Sequence, residues 1–420
     1  MSVQTMRNMF ASPIIFILGS TATGKSKLGI ELAKRLNGEI ISADSMQVYK
    51  GLEIITNKVS VEERAEVTHH LLDVITPPAE YSVSEFRCAA LDIIQQLFCA
   101  HKLPVVVGGT NYYIEALLWN FLMDDTSSPD MLQTRKELGS NKRAKIDGDT
   151  FEQLIFVDPE RAAELHPNDT RKIARSLQVF RTTGKKHSEL LKEQRQQPGA
   201  SPLGGPLRFS KALIFWLTCD QGELDKRISE RVDSMLSKGL DEEVTKFYEN
   251  YKKSKETLGT DSTLYQEGLF QAIGFKEFHD YFTCDDKEKK EAHLREGLSA
   301  LKRVTIKYSK KQRTWIQNRF LSRHGETTPD IYELDATNLD TWKADVLQKA
   351  VDVTRAFLAN SEIPVAPVEK RSVNLNAKRK FICETCSGRT IMGEASWKEH
   401  VSSKRHKYFI KKQLKEVLPS

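Results

Sequence analysis

The apolar run Ile14 to Leu18 follows Pro13 and leads into the glycine-rich stretch Gly19 to Gly24. A short apolar run without alternation predicts a strand buried on both faces. Leu28, Leu32, Ala33 and Leu36 then recur on one helical face, and Gly38 closes that helix. Glu39 to Ala43 predicts a second strand. Leu103 to Val107 predicts a third, which runs into Gly108-Gly109, and Lys211 to Cys219 returns to the same pattern. Strands alternating with helices indicate an α/β fold with a parallel sheet.

Between these strands the texture changes. From 124 to 207 charged, helix-forming sequence dominates, broken by Pro129, Gly139, Gly148 and the Gly/Pro cluster Pro198 to Pro206. That stretch is expected to be a mostly helical insertion. Helical, charge-laced sequence resumes from Glu223 to about Phe320. The expected organisation is a core in two parts, 13–123 and 208–359, around the insertion. A linker over 360–376, with Pro364 and Pro367, then leads to a small Cys/His module with a basic tail over 377–412. The first dozen residues carry one charge, Arg7, and make a poor transit signal.

Length and composition agree with this picture. A chain of 420 residues is too long for one small core. No run of about 18 apolar residues occurs, so no membrane partner is expected. Six cysteines are too sparse for a disulfide scaffold, and a reducing compartment is the default. The charge is uneven: from Lys370 onward 13 Lys and Arg face 4 Asp and Glu, leaving 50 against 53 before it. An arm for a polyanion and a solvated disordered tail both fit that split.

Gly19-Ser20-Thr21-Ala22-Thr23-Gly24-Lys25-Ser26 matches G-x-x-x-x-G-K-[ST] in the required place, after a buried strand and before an amphipathic helix. Such a loop turns backbone N–H groups toward phosphate oxygens. The helix N-terminus and Lys25 add positive charge, and Ser26 is placed to hold a hydrated Mg²⁺. Asp44 ends the second strand and Thr110 follows the third. Carboxyl ends of parallel strands are where open α/β sheets place their ligands, so both should face the same crevice as Lys25. For an isolated Asp, helix capping is the ordinary alternative. Asp44 would also serve as the metal-side carboxylate of an NTPase. That reading leaves Gln47, Thr56-Asn57-Lys58, His69-His70 and Thr110 without a part.

Cys383-x2-Cys386-x13-His400-x5-His406 nearly fits the two-Cys, two-His zinc spacing. The imidazoles are expected on a helix from Ala395 to Lys407, with Phe381 and Trp397 as a small core that needs the metal. Lys404, Arg405, Lys407, Lys411 and Lys412 cluster on and after that helix. Cys88, Cys99, Cys219 and Cys284 show no ligand spacing and are expected to be buried small residues.

Taken together, GSTATGKS (19–26), SADSMQVYKGL (42–52), ITNK (55–58), HHLLD (69–73), YSV with Phe86, and PVVVGGTNYY (104–113) resemble the tRNA dimethylallyltransferase (tRNA isopentenyltransferase) family. HPND (166–169), Arg171, Arg175, TGKK (183–186), RISERVDSMLSKGL (227–240), QAIGFKEF (271–278) and KYSKKQRTWI (307–316) continue the match over about residues 13 to 345. The ITNK and YY variants, with the C-terminal finger, look like the eukaryotic branch. Gln178 and Ile306 depart from the usual Glu and Arg.

The resemblance implies an α/β P-loop parallel sheet core, a mostly helical insertion domain and a small C-terminal C2H2-type zinc finger. It implies transfer of a dimethylallyl group from its diphosphate to N6 of adenosine 37, beside the anticodon of tRNA. Asp44, Thr110, Lys25 and Arg231 are then the catalytic residues. Gly19, Thr21, Thr23, Gly24, Lys25, Ser26, Arg227 and Arg231 bind diphosphate. Asp44, Ser45, Met46, Gln47, Asn168, Asp169, Arg171, Arg175, Gln271, Ile273 and Lys276 meet the tRNA anticodon stem-loop. Mg²⁺ on Ser26 and structural Zn²⁺ on Cys383, Cys386, His400 and His406 are the expected metals. A cytoplasmic monomer is expected, with room for mitochondrial and nuclear pools.

Three rival readings remain at this point. A P-loop nucleotide kinase or ATPase would consume γ-phosphate. An adenylate isopentenyltransferase acting on free nucleotide would have little use for the insertion or the finger. A zinc-finger RNA-binding protein with a dead core would not need intact Lys25, Asp44, Thr110 and Arg231.

Overall fold

The structure, a computed structural model, describes residues 11–120, 150–258, 268–325, 328–372 and 379–417. These fall into two compact units, one from residues 1–123 and 206–371, the other from 124–205 and 372–420.

The first unit is built on six parallel strands: β1 (Ile14–Gly19), β2 (Gly38–Ser42), β3 (His69–His70), β4 (Leu103–Val107), β5 (Ala212–Thr218) and β6 (Ile331–Asp335). Their spatial order is β3-β2-β4-β1-β5-β6. The apolar run of β1 divides between two faces because strand side chains alternate. Ile14, Phe16 and Leu18 pack with Phe86, Ala90 and Ile94 of α1 (Val83–Cys99) and with Ile114 and Leu117 of α2 (Asn111–Leu118). Ile15 and Ile17 face the other way, onto Leu28, Leu32 and Ala33 of the helix Lys25–Arg35 that follows the glycine-rich loop.

The expected strands at 14–18, 39–43, 103–107 and 211–219 are found within a residue of their stated ends. The edge strands β3 and β6 were not expected. The first is two residues long, and the second, Ile-Tyr-Glu-Leu-Asp, is interrupted by exposed polar residues. None of the four cysteines expected to be buried is: Cys88 and Cys99 are exposed, and Cys219 and Cys284 are half-buried. The described part of the expected linker lies along the sheet core. Ile363 and Val365 join one core face, and Val368 N–H donates to Ile331 O at 2.8 Å.

Two further helices complete what the site needs: α3 (Gln221–Ser237) and the long α4 (Lys287–Trp315). The C-terminal end of α4 is anchored by fully buried Glu115 of α2. Its carboxylate accepts from Arg319 Nη2 at 2.6 Å, Arg323 Nη2 at 2.8 Å and Trp315 Nε1 at 3.2 Å. Removing one partner of a buried ion cluster leaves uncompensated charge in a poorly solvated site. Glu115→Ala is therefore expected to cost about 3–5 kcal/mol of stability, read from the urea midpoint of the variant. A loss under 1 kcal/mol would mean that water reaches the two guanidinium groups.

In the second unit, four helices carry the insertion: Phe151–Val157, Pro159–Glu164, Thr170–Thr183 and His187–Arg195. Leu154, Ala162, Leu165, Ile173 and Leu177 form its core. The hairpin β7 (Lys380–Cys383) and β8 (Arg389–Met392) opens the Cys/His module. That module belongs to the same unit as the insertion: His166 Nε2 lies 3.3 Å from Thr390 O, and Lys380 Nζ sits 4.7 Å from the centre of the Phe151 ring.

The single helix expected over Ala395 to Lys407 is two helices, Glu394–Ser402 and Lys404–Val417. Ser403 is extended between them and its Oγ accepts from His406 N–H at 3.2 Å. The x5 gap explains the break. Residues i and i+6 of one helix point roughly 120° apart, so an unbroken helix would turn one imidazole away from the other ligands.

Candidate functional site

One cavity of about 570 Å³ opens at the carboxyl ends of β1, β2 and β4. Thr21, Gly24, Lys25, Ser26, Asp44, Ser45, Met46, Gln47, Arg227, Arg231, Gln271 and Ile273 all line it, so twelve residues named from the sequence meet in one place. Apolar wall comes from Ile55, Val107, Val232, Met235 and Leu301, among others. Local sequence explains the placement. Gly24 has a φ of 91°, which lets the loop turn directly into its helix without strain. Gly108 lets β4 pass close to β2: a Cβ there would lie 2.0 Å from Ala43 O.

Charge inside the cavity is unbalanced. Among the described residues lining it, Asp44 is the one carboxylate, set against Lys25, Lys27, Arg227 and Arg231. Burial lowers the Lys25 pKa to about 8, an effect that Asp44 opposes and Arg231 reinforces. Burial likewise lowers Arg231 to about 10, against the pull of Asp44. Arg231 Nε is buried with no hydrogen-bond acceptor, and Lys25 Nζ folds back onto Ser20 O at 2.7 Å. Cations held this way favour an anion among them. Burial raises the pKa of Asp44, partly offset by N–H groups of Met46 and Gln47 and then by Lys25 and Arg231. Met46 N–H donates to Asp44 Oδ1 at 2.9 Å.

Other named residues take supporting positions. Gly19 and Thr23 are not among the lining residues; Thr23 Oγ1 donates to Ser20 O at 2.9 Å and stiffens the loop. Thr110 stands just behind the wall, where its Oγ1 accepts from Ser45 N–H at 3.0 Å and lies 3.2 Å from Ser45 Oγ. Arg227 lines the cavity, yet it already donates to Ala336 O at 2.7 Å and Thr337 O at 2.5 Å. Its first task is to tie α3 to the end of β6. Lys276 is exposed, 3.9 Å from Glu277.

The residues that the NTPase reading left idle build a wall. Gln47 Nε2 donates to the carbonyls of Thr56 and Asn57, both at 3.1 Å. The buried Lys58 ammonium donates to Tyr49 O at 2.7 Å, Gly51 O at 2.9 Å, Glu53 at 2.8 Å and Asp73 at 2.5 Å. His69 lines the cavity from β3, and His70 meets Glu39 at 2.6 Å.

Sequence reasoning missed Thr305, Tyr308 and Gln312 of α4, which line the cavity with Leu301. The signal was available. Positions 301, 305, 308 and 312 recur at helical spacing and are uncharged in a helix otherwise rich in Lys and Arg.

The second unit holds Asn168, Asp169, Arg171 and Arg175 at the start of the helix Thr170–Thr183. Asp169 is its N-cap, and Asn168 and Arg171 are exposed. Arg175 Nη1 donates to Gln178 Oε1 at 3.2 Å, so the departure from Glu keeps an acceptor there.

In the same unit, one ligand atom each from Cys383, Cys386, His400 and His406 lies within 4.8 Å of the others. His406 Nδ1 is 3.4 Å from Cys383 Sγ and 3.5 Å from Cys386 Sγ, and buried His400 Nε2 has no hydrogen-bond partner. Ligand bonds of about 2.0–2.3 Å in a tetrahedron need spacings of this size. Two sulfurs and two nitrogens suit zinc. Phe381 stacks on Trp397 with ring centres 5.2 Å apart, supplying the expected small core.

A six-stranded parallel sheet with a glycine-rich loop after its first strand and a cation-rich cavity at its strand ends defines an α/β protein. Family comparison narrows this. A model described as IPP transferase matches residues 47–319, and one described as isopentenyl transferase matches 12–73. The mouse and human tRNA dimethylallyltransferases are each 44% identical over 408 residues, covering 96% of this chain and 86% of theirs. A solved eukaryotic dimethylallyltransferase acting on tRNA aligns with a TM-score of 0.80 at 32% identity, covering 97% of this chain and 98% of that one. The chain belongs to the IPP transferase family.

Proposed function

We propose that the protein transfers a dimethylallyl group from dimethylallyl diphosphate to N6 of adenosine 37 of tRNA, releasing pyrophosphate. The observation that carries this reading is the meeting, in one cavity, of Asp44, the one carboxylate among its described lining residues, with half-buried Lys25 and Arg231. A bond forms between N6 and C1 of the donor as the C1–O bond to diphosphate breaks. Lys25, Arg231 and the loop amides stabilise the charge that collects on the departing pyrophosphate. The proton released from N6 passes to Asp44, whose raised pKa makes it a stronger acceptor than an exposed aspartate. Thr110 would donate to the oxygen that leaves.

Mg²⁺ fits beside Ser26. Ser26 is exposed at the cavity and Asp44 is the one carboxylate among the described lining residues, which suits an ion bound through substrate phosphates and water. Bound there, the ion would neutralise diphosphate charge. Adenine reaches a carboxylate inside a cavity only after leaving its stack, and single-stranded loops permit that. Ser45 to Gln47, Gln271 and Ile273 would receive it, while Asn168 to Arg175 hold the stem. One chain supplies every group named.

The test is mass spectrometry of nucleosides from tRNA incubated with protein, Mg²⁺ and dimethylallyl diphosphate. Prenylated adenosine is expected. Hydrolysis of ATP without prenylation, or prenylation of free AMP and not of tRNA, would select a rival instead.

The basic helix Lys404–Val417 is expected to supply affinity. Lys404, Lys407 and Lys411 are exposed at i, i+3 and i+7. Replacing all three by Gln should raise KM for tRNA and flatten the log–log salt slope by about 0.7 per lost single-stranded contact, because fewer counterions are released. Turnover at saturating tRNA should hold. Unchanged KM and slope would assign that helix to another partner.

A further inference from the structure

The phosphate loop and the strand end that carries the acceptor side are separate pieces of chain, and one side chain joins them. Gln312 of α4 is buried against both. Its Oε1 accepts from Thr21 N–H at 2.8 Å, and its Nε2 donates to Gly109 O at 2.8 Å. The same helix face repeats the pattern around it. Ser20 Oγ donates to Ser309 O at 2.8 Å, Tyr308 OH donates to Gly109 O at 3.2 Å, and Asn111 Nδ2 donates to Gln312 O at 3.1 Å.

We propose that Gln312, seconded by Tyr308, is a positioning residue: a strut that sets the separation between the diphosphate loop and the Asp44–Thr110 end of the sheet. The inference rests on the prenyl-transfer reading above. Loop residues hold the leaving group, and Asp44 and Thr110 address the attacking amine and the oxygen that departs. The two substrates therefore meet at a distance that neither half-site fixes alone. An amide suits the task because it offers one acceptor and one donor in a rigid plane, matched here to one N–H and one C=O. Thr21 N–H, spent on Gln312, is also withdrawn from the set of loop amides that can face phosphate. Asn111 and Gly109 neighbour Thr110, and the Tyr308 hydroxyl itself meets the side chains of Thr110 and Gln312, so the strut reaches the catalytic hydroxyl both directly and through the backbone. A strut of this kind affects the meeting of the substrates more than the binding of either. Misplacement by about 1 Å can cost about 10²-fold in rate.

The experiment compares wild type, Gln312→Met and Tyr308→Phe in three measurements. These are the single-turnover rate of prenyl transfer to an anticodon stem-loop RNA, the dissociation constant of pyrophosphate with Mg²⁺, and that of the RNA. Gln312→Met keeps the length and removes both hydrogen bonds. It should slow transfer by about 10- to 100-fold while both dissociation constants stay within about threefold. Tyr308→Phe, which removes one hydroxyl and no ring packing, should show the same split at a smaller size. A Gln312→Met rate within twofold of wild type overturns the proposal. So does a parallel loss of rate and of both affinities, which would mark a merely structural residue. Should Gln312→Met not fold, Tyr308→Phe decides alone, and a rate equal to wild type overturns the strut. Absence of transfer by the wild-type protein would instead refute the proposed function.

Discussion

Asp44→Asn is expected to lower the single-turnover rate of prenyl transfer by about 10²–10⁴-fold, the contribution of a positioned general base. The substitution keeps the side chain's shape and its carbonyl acceptor for Met46 N–H. What it removes is basicity. Pyrophosphate affinity should hold or improve, because Asp44 is the negative charge facing Lys25 and Arg231 in the cavity. RNA affinity should change little. The wild-type pH profile adds a second check. Burial raises the Asp44 pKa above its ordinary 3.8, so the protonated, inactive form persists to higher pH. The acidic limb of the transfer rate should therefore lie above that value and vanish in Asp44→Asn. Near wild-type turnover in the variant would remove Asp44 from the mechanism.

Lys25→Ala should be nearly as damaging, by a different route. Loss of one group that stabilises developing charge typically costs about 10²–10³-fold in rate. Here the diphosphate site should weaken as well. Its pH dependence identifies the residue. With a pKa lowered to about 8 in the ligand-free protein, Lys25 is increasingly neutral above that pH. A bound polyanion favours the ammonium, so pyrophosphate binding above pH 8 takes up a proton and weakens as pH rises. The difference between the wild-type and Lys25→Ala binding profiles cancels the titration of pyrophosphate itself and should show this slope. RNA affinity should stay within about twofold, since Lys25 is not among the groups proposed to hold the stem. A collapse of RNA binding would mean that the two substrates have been assigned to the wrong ends of the cavity.

Much of the site was legible because its parts are local. The phosphate loop is eight consecutive residues between a five-residue apolar run and a helix of period 3.6, and each signal fits in a short window. Asp44 and Thr110 were placed by a rule about strand ends, which needs only the strands. The metal cluster was readable from spacing. Its helix break was readable too, had the phase of the x5 gap been worked out. Arg227 shows the limit: the resemblance offered it as a diphosphate ligand, and only packing reveals that it also donates to two backbone carbonyls.

By itself, the sequence determined the α/β class, the glycine-rich loop before its helix, the Cys/His cluster and the residues offered to one crevice. Tertiary structure alone decided how that crevice is braced. Gln312 meets Thr21 across 291 residues of chain and Gly109 across 203, and Arg323 meets Glu115 across 208. The insertion and the Cys/His module share one unit although strands β5 and β6 lie between them in the chain. Periodicity and spacing report which face of an element is apolar, because that follows from the geometry of a few bonds. They do not report which distant element covers it. A Gln on a buried helix face acquires its meaning only from the N–H and the carbonyl that packing places against it.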